Sequence, residues 1–201
     1  EYCELNKNYA SKEDFEKYFD GKWWLVNNKL FIVSGHSGSG KTSIMRSLMD
    51  NEIVSFTTRE PRDGEIDGVD YNFITKRKFD DLLYRDRLIE CTEYGGNFYG
   101  ITTEELENKL DKGHAFCIVD FDGMLMLENF YPNVCRIFLY TTYEQAFVNM
   151  LNRGDDPEKI ADRLKTYDKE LENRVYYDYV VKNNAGQFER TKSIIESIVA
   201  S

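Results

Sequence analysis

The chain has 201 residues, 41% hydrophobic and 31% charged with only 3 prolines, which excludes a disordered or low-complexity polymer and suits one well-buried domain. A formal net charge of -10 and a pI near 4.8 argue against nucleic acid and anionic membranes as partners. An anionic ligand must therefore be met by a few well-placed cations.

Cys3, Cys91, Cys117 and Cys135 form no C-x-x-C pair, and with two histidines in the chain neither a zinc site nor a disulfide framework is expected. The first thirty residues lack an apolar core segment, and no run of 18 apolar residues occurs, so a soluble, cytoplasmic protein is expected.

Residues 1–28 read as an N-terminal extension with one helix: Ser11 ahead of Asp14 resembles a capping box, Phe15, Tyr18 and Phe19 share a face, and Gly21 ends it. Trp23 and Trp24 follow, and no chemistry is legible in this stretch. Residues 29–201 carry the remaining pattern. Buried strands are predicted at Leu30–Val33, Ala115–Val119, Arg136–Tyr140 and Tyr179–Val181, with helices filling the gaps. Such alternation implies parallel strands joined by right-handed crossovers, hence an α/β fold with helices on both faces of the sheet.

Between 54 and 108 the texture changes. Short strands at Phe56–Thr58, Tyr71–Ile74 and Leu88–Cys91 are separated by turns at Gly64, Gly68 and Gly95-Gly96, which reads as a small inserted lobe. Arg153-Gly154-Asp155-Asp156-Pro157 breaks two helices, and the polar stretch around it, within 143–165, reads as a mobile lid.

Gly35-His36-Ser37-Gly38-Ser39-Gly40-Lys41-Thr42 fits G-x-x-x-x-G-K-[ST], placed after an apolar strand and before a predicted helix at Thr42–Met49. Its glycines let backbone N–H groups turn around phosphate oxygens. Lys41 is expected to reach the β- and γ-phosphates of ATP, and the Thr42 hydroxyl to take one position on Mg²⁺. His36 stands at a variable position of the motif. Asp120, closing the run Phe116–Val119, is a candidate second carboxylate near that Mg²⁺. Further along, Arg59 and Arg62 flank Pro61, a spacing that suits two guanidinium forks converging on one phosphate, with Tyr71 as a neutral donor.

From about residue 30 to the end, the chain resembles guanylate kinases. The motifs that carry the likeness are Gly35 to Thr42, Thr57-Thr58-Arg59-x-Pro61-Arg62-x-Gly64-Glu65, Gly68-x-Asp70-Tyr71-x-Phe73 and Tyr99-Gly100. The resemblance implies a three-layer P-loop NTPase fold with a central parallel sheet, a GMP-binding lobe at 54–108 and a lid at 143–165. It also implies transfer of the γ-phosphoryl of ATP to GMP or dGMP with Mg²⁺, by a monomer or homodimer. Matched position by position, Arg59, Arg62, Tyr71 and Tyr99 resemble the ligands of the acceptor phosphate, while Glu90, Ser55 and Asp122 resemble those of guanine. Arg153 and Arg163 resemble the transition-state arginines and Asn183 the adenine-side asparagine.

The chain departs from the family pattern at Ile101, where a serine or threonine is usual, with Thr102 next. It also departs at Gly123-Met124-Leu125, at Asn149 in place of a lid-helix arginine, and in a spacing from Arg153 to Arg163 that is one residue shorter. Two other readings are a kinase of the same fold with a different or modified acceptor, and a guanylate-kinase-like interaction domain, which Lys41 and Thr42 oppose. A switch GTPase or nucleic-acid motor calls for a guanine-reading N-K-x-D element or a basic track, and the sequence is read as carrying neither.

Overall fold

The computed structural model describes residues 27–201, so the predicted helix around Phe15 lies outside the described residues. Strands β1 (Leu30–Ser34), β2 (Phe56–Thr57), β3 (Asn72–Phe73), β4 (Leu88–Tyr94) and β5 (Asn97–Thr102) are followed by β6 (Ala115–Ile118), β7 (Val134–Tyr140) and β8 (Tyr179–Lys182). The helices are α1 (Lys41–Arg46), α2 (Lys76–Tyr84), α3 (Thr103–Lys112), α4 (Phe121–Phe130), α5 (Tyr143–Asn152), α6 (Pro157–Leu164), α7 (Tyr167–Glu172) and α8 (Phe188–Val199). A 3₁₀ turn spans Asn173–Tyr176.

One sheet has the order β6-β1-β7-β8, with β7 and β8 parallel from Ile137 opposite Tyr179 to Tyr140 opposite Lys182. Neighbours that are not consecutive in the chain require crossovers, which the helices supply, and the expected α/β class is observed. The second sheet, β3-β2-β5-β4, is mixed: β2 pairs parallel with β3 and antiparallel with β5.

By its contacts the chain divides into two compact units. One takes the described residues up to Leu30 with Asn51–Cys117 and Asp122–Val134, and the other takes Phe31–Asp50, Ile118–Phe121 and Cys135–Ser201. In the first, Phe79, Cys91 and Phe98 form a buried cluster onto which Phe56, Ile74, Leu83 and Leu88 pack. In the second, Ala146, Met150, Ile160, Leu164 and Tyr167 do the same with Leu171 against them, joining α5, α6 and α7.

Strand β5 was not read from the sequence. Gly95 and Gly96, with φ of 59° and 73°, make the two-residue turn that brings Asn97 opposite Tyr94, so the pair β4–β5 is a hairpin. Asn97 and Gly100 are poor strand formers and masked the alternation. β4 accordingly runs three residues past Cys91, whereas β3 is shorter than the predicted Tyr71–Ile74. The break at 153–157 lies where expected: α5 ends at Asn152, and α6 starts at Pro157 with Asp156 as its cap, accepting from the N–H groups of Glu158 and Lys159.

Asn108-Lys109-Leu110-Asp111 does spell N-K-x-D, which the sequence reading overlooked. It lies inside helix α3, with Asn108 and Asp111 exposed and Lys109 3.6 Å from Glu105, one turn back. A mid-helix surface cannot form the strand-end loop that reads a base, so it gives the GTPase reading no support.

Candidate active site

All five residues of β1 are buried, and the chain leaves it at Gly35 in a conformation, φ 137°, that only glycine takes readily. The approach is also too close for any side chain, because a Cβ there would lie 1.9 Å from Leu139 O. The loop continues through Ser37, Gly38 and Ser39 to Gly40, the left-handed cap of α1, with Lys41 and Thr42 in its first turn. Lys41 Nζ donates to Gly35 O at 2.5 Å and to His36 O at 2.9 Å, and lies 3.5 Å from Ser39 Oγ. Burial pulls its pKa down to about 8, Glu170 opposes this, and Arg153 adds to it. Thr42 is exposed.

His36 contributes backbone to the loop, but its ring turns inward. The ring is 2% exposed, lies 4.5 Å from the Tyr167 ring, and shares hydrogen bonds with Ser37 O at 3.0 Å and with Thr141 N–H at 3.1 Å. Burial lowers its pKa and leaves it neutral near pH 7.

Arg153 caps the C-terminus of α5 and Arg163 lies in the last turn of α6. One carboxylate joins them: Asp155 Oδ2 accepts from Arg153 Nη2 and, at 3.2 Å, from Arg163 Nη1. The shorter spacing from 153 to 163 thus still brings the two guanidinium groups together, and Asp155 is a residue to which the sequence reading gave no role. Glu170, on α7, was also missed. Its carboxylate accepts from Thr166 Oγ1 at 2.7 Å, and burial raises its pKa, with Thr166 and Lys41 opposing and Asp120 adding. Asp120 is exposed just past β6. Asn183, following β8, donates from Nδ2 to Ser39 O at 2.9 Å.

In the other unit, the turn after β2 gathers the two arginines predicted to share a phosphate. Glu65 Oε1 accepts from Arg59 Nη2 at 2.8 Å and lies 3.8 Å from Arg62 Nη1, while Oε2 accepts from the Arg62 N–H at 2.7 Å. The Arg59 guanidinium sits 5.3 Å from the Tyr71 ring centroid and 5.7 Å from that of Phe73, and the Tyr71 and Tyr99 rings meet edge-on at 5.8 Å. Burial raises the Tyr71 pKa, so its hydroxyl remains a donor. Glu65 stood in the quoted motif without a role; its place within three residues of Arg62 was the signal available.

Glu90 lies on β4 and is 2% exposed, and Ser55 is buried just before β2. Burial pushes the Cys117 thiol well up, with Glu90 and Glu52 adding to it. Ile101, directly across from Glu90, is fully buried. Thr102 does not restore the hydroxyl that Ile101 lacks, because its Oγ1 accepts from Glu105 N–H at 3.2 Å as the cap of α3. Asp122 is exposed in the first turn of α4.

The family model described as guanylate kinase matches residues 27–201. Guanylate kinase of Haemophilus influenzae is 34% identical over 88% of this chain and 89% of its own length. That of Oceanobacillus iheyensis is 35% identical over 84% and 86%. The crystal structure of guanylate kinase from Anaplasma phagocytophilum superposes with a TM-score of 0.69 at 29% identity, covering 86% of this chain and 85% of that one. No helix among the described residues is long and apolar enough to cross a membrane. With a phosphate loop in one unit, an arginine-tyrosine cluster and a buried carboxylate in the other, and the match spanning all described residues, the chain belongs to the guanylate kinase family.

Proposed function

We propose that the protein moves the γ-phosphoryl group of ATP onto GMP or dGMP, giving ADP and GDP or dGDP, as a cytoplasmic step of purine nucleotide metabolism. The observation that carries this reading is the Glu90 carboxylate, 2% exposed on the hairpin that also holds Tyr99, in a chain whose loop has both Lys41 and Thr42. One carboxylate accepts from guanine N1–H and N2–H₂ together, and adenine offers no such pair. Ser55 and Asp122 complete the base contacts in this reading, and Arg59, Arg62, Tyr71 and Tyr99 take the acceptor phosphate.

The loop Gly35 to Thr42, with Asn183, takes ATP. The Thr42 hydroxyl and the Asp120 carboxylate, both exposed hard oxygen donors and few in number, fit a Mg²⁺ ion that arrives on the phosphates. Held there by Thr42 and Asp120, the ion would offset the negative charge of the phosphates.

The attacking group is an acceptor-phosphate oxygen that is already anionic near pH 7, so no side chain has to remove a proton. It forms a bond to the γ-phosphorus as the bond to the ADP oxygen breaks. Catalysis then consists of aligning two polyanions and offsetting charge on the moving phosphoryl, the work of Lys41, Arg59, Arg153 and Arg163. Glu65 and Asp155 hold the arginines in pairs that would otherwise repel, which keeps each guanidinium oriented for a phosphate to claim.

A second reading is a kinase with a different or modified base on its acceptor, favoured by Ile101, which sets a fully buried aliphatic side chain directly across from Glu90. ATP labelled in the γ-phosphate, incubated with GMP, Mg²⁺ and the protein, tests the first: label is expected in GDP. Label recovered only as inorganic phosphate contradicts it. A monomer or homodimer is sufficient for this chemistry.

A further inference from the structure

Two consecutive carbonyls of the phosphate loop are each held by an asparagine from a different element. Asn149 Nδ2, on α5, donates to Gly38 O at 2.7 Å, and Asn183 Nδ2, after β8, donates to Ser39 O at 2.9 Å. Each carboxamide is engaged at its other end: Gln145 Nε2 donates to Asn149 Oδ1 at 2.7 Å, and the Thr191 hydroxyl lies 3.1 Å from Asn183 Oδ1 and 3.1 Å from Gln187 O, its one proton shared between them. A carboxamide accepts and donates within one plane, so once its oxygen is engaged its nitrogen is aimed. The glycines permit this closeness, since a Cβ on Gly40 would lie 2.6 Å from Asn183 Nδ2 and one on Gly38 2.6 Å from Ala146 O.

In a trans peptide the C=O and N–H point to opposite sides. Fixing Gly38 O toward Asn149 therefore turns the Ser39 N–H away from α5, and fixing Ser39 O toward Asn183 turns the Gly40 N–H away from that side chain. Ser39 N–H indeed points to His36 O, at 3.3 Å, the carbonyl that Lys41 Nζ also reaches. Gly38 and Gly40, with φ of 78° and 91°, alternate with ordinary residues in the pattern that makes a backbone concavity for anions.

We propose that Asn149, aimed by Gln145, and Asn183, aimed by Thr191, are positioning residues that set the loop's N–H groups for the phosphates of ATP, an inference that rests on reading this loop as the ATP site.

The test compares Asn149→Ala, Asn149→Asp, Gln145→Ala and the Asn149→Ala/Gln145→Ala double variant. Readouts are kcat, the KM for ATP and for GMP, melting temperature, and calorimetric binding of MgATP without acceptor. The KM and Kd for ATP are expected to rise about tenfold in Asn149→Ala, the worth of an ordinary hydrogen bond, with the KM for GMP unchanged. Asn149→Asp, which keeps the shape but cannot donate to a carbonyl, should be at least as impaired. Gln145→Ala should have a smaller effect that disappears in the Asn149→Ala background. Unchanged ATP binding in Asn149→Ala, equal rises in both KM values, or additivity in the double variant would overturn the proposal. If Asn149→Ala does not fold, Asn149→Asp decides by the same two KM values. A wild-type chain that binds MgATP yet transfers nothing to GMP refutes the acceptor reading while the ATP Kd still judges the clamp; one that binds no MgATP overturns both.

Discussion

Glu90 stands directly opposite Ile101 across the β4–β5 ladder, so a buried carboxylate and a buried aliphatic side chain share one face of the hairpin. If Glu90 reads guanine, Glu90→Gln replaces one acceptor with a donor facing a donor. The kcat/KM for GMP should fall on the order of 10²-fold while the KM for ATP stays constant. Ile101→Thr should add an acceptor or donor at the base, lowering the KM for GMP by about 3-fold or more. Steady-state kinetics with each substrate varied in turn checks both.

The two arginine pairs should separate in kinetics as they do in the chain. Arg59, tied to Glu65 beside Tyr71, should act on the acceptor, so Arg59→Ala should raise the KM for GMP. Arg163, tied to Asp155, should act on the moving phosphoryl, so Arg163→Ala should lower kcat on the order of 10²-fold with little change in the KM for GMP. Equal effects of the two variants on both parameters would contradict the division.

Lys41 gives a pH dependence with a definite sign. Its folded pKa of about 8 is below the ordinary value of 10.5, because burial disfavours the charged amine. Between these values the folded chain releases the proton before the unfolded chain does, so this group's contribution to stability rises from pH 8 toward 10.5. ATP needs the charged form, so the Kd for ATP should begin to rise above about pH 8. Calorimetry from pH 7 to 9, with Lys41→Met as the variant that lacks the titration, measures it.

Gly35 is the backbone position least open to change. Gly35→Ala places a Cβ 1.9 Å from Leu139 O at a φ of 137°, and it should cost about 3 kcal/mol or more. Gly64→Ala also has a positive φ, 84°, but nothing lies within 4 Å of its Cβ, and it should cost about 1 kcal/mol. Chemical denaturation of both variants gives the comparison.

The sheet strands were legible because their residues form apolar runs: Leu30 to Val33 and Arg136 to Tyr140 fall within β1 and β7. Strand β5 was not, since Asn97 and Gly100 interrupt its pattern and its pairing with β4 is set by the Gly95-Gly96 turn. Lys41 was named from the G-x-x-x-x-G-K-[ST] motif and Arg59 from its spacing to Arg62, whereas Arg163 was named only through the resemblance to guanylate kinases. Their carboxylate partners Glu65 and Asp155, the inward ring of His36, and the Asn149–Gly38 contact were not, because each depends on a side-chain direction that no spacing encodes.

The most direct measurement is kcat/KM of the purified chain with ATP and Mg²⁺ against GMP, dGMP, AMP, CMP, UMP and dTMP, with Lys41→Ala alongside. Rapid ADP formation with GMP or dGMP only, abolished in Lys41→Ala, is the predicted result. Turnover with a different monophosphate, or none with any, would contradict the account.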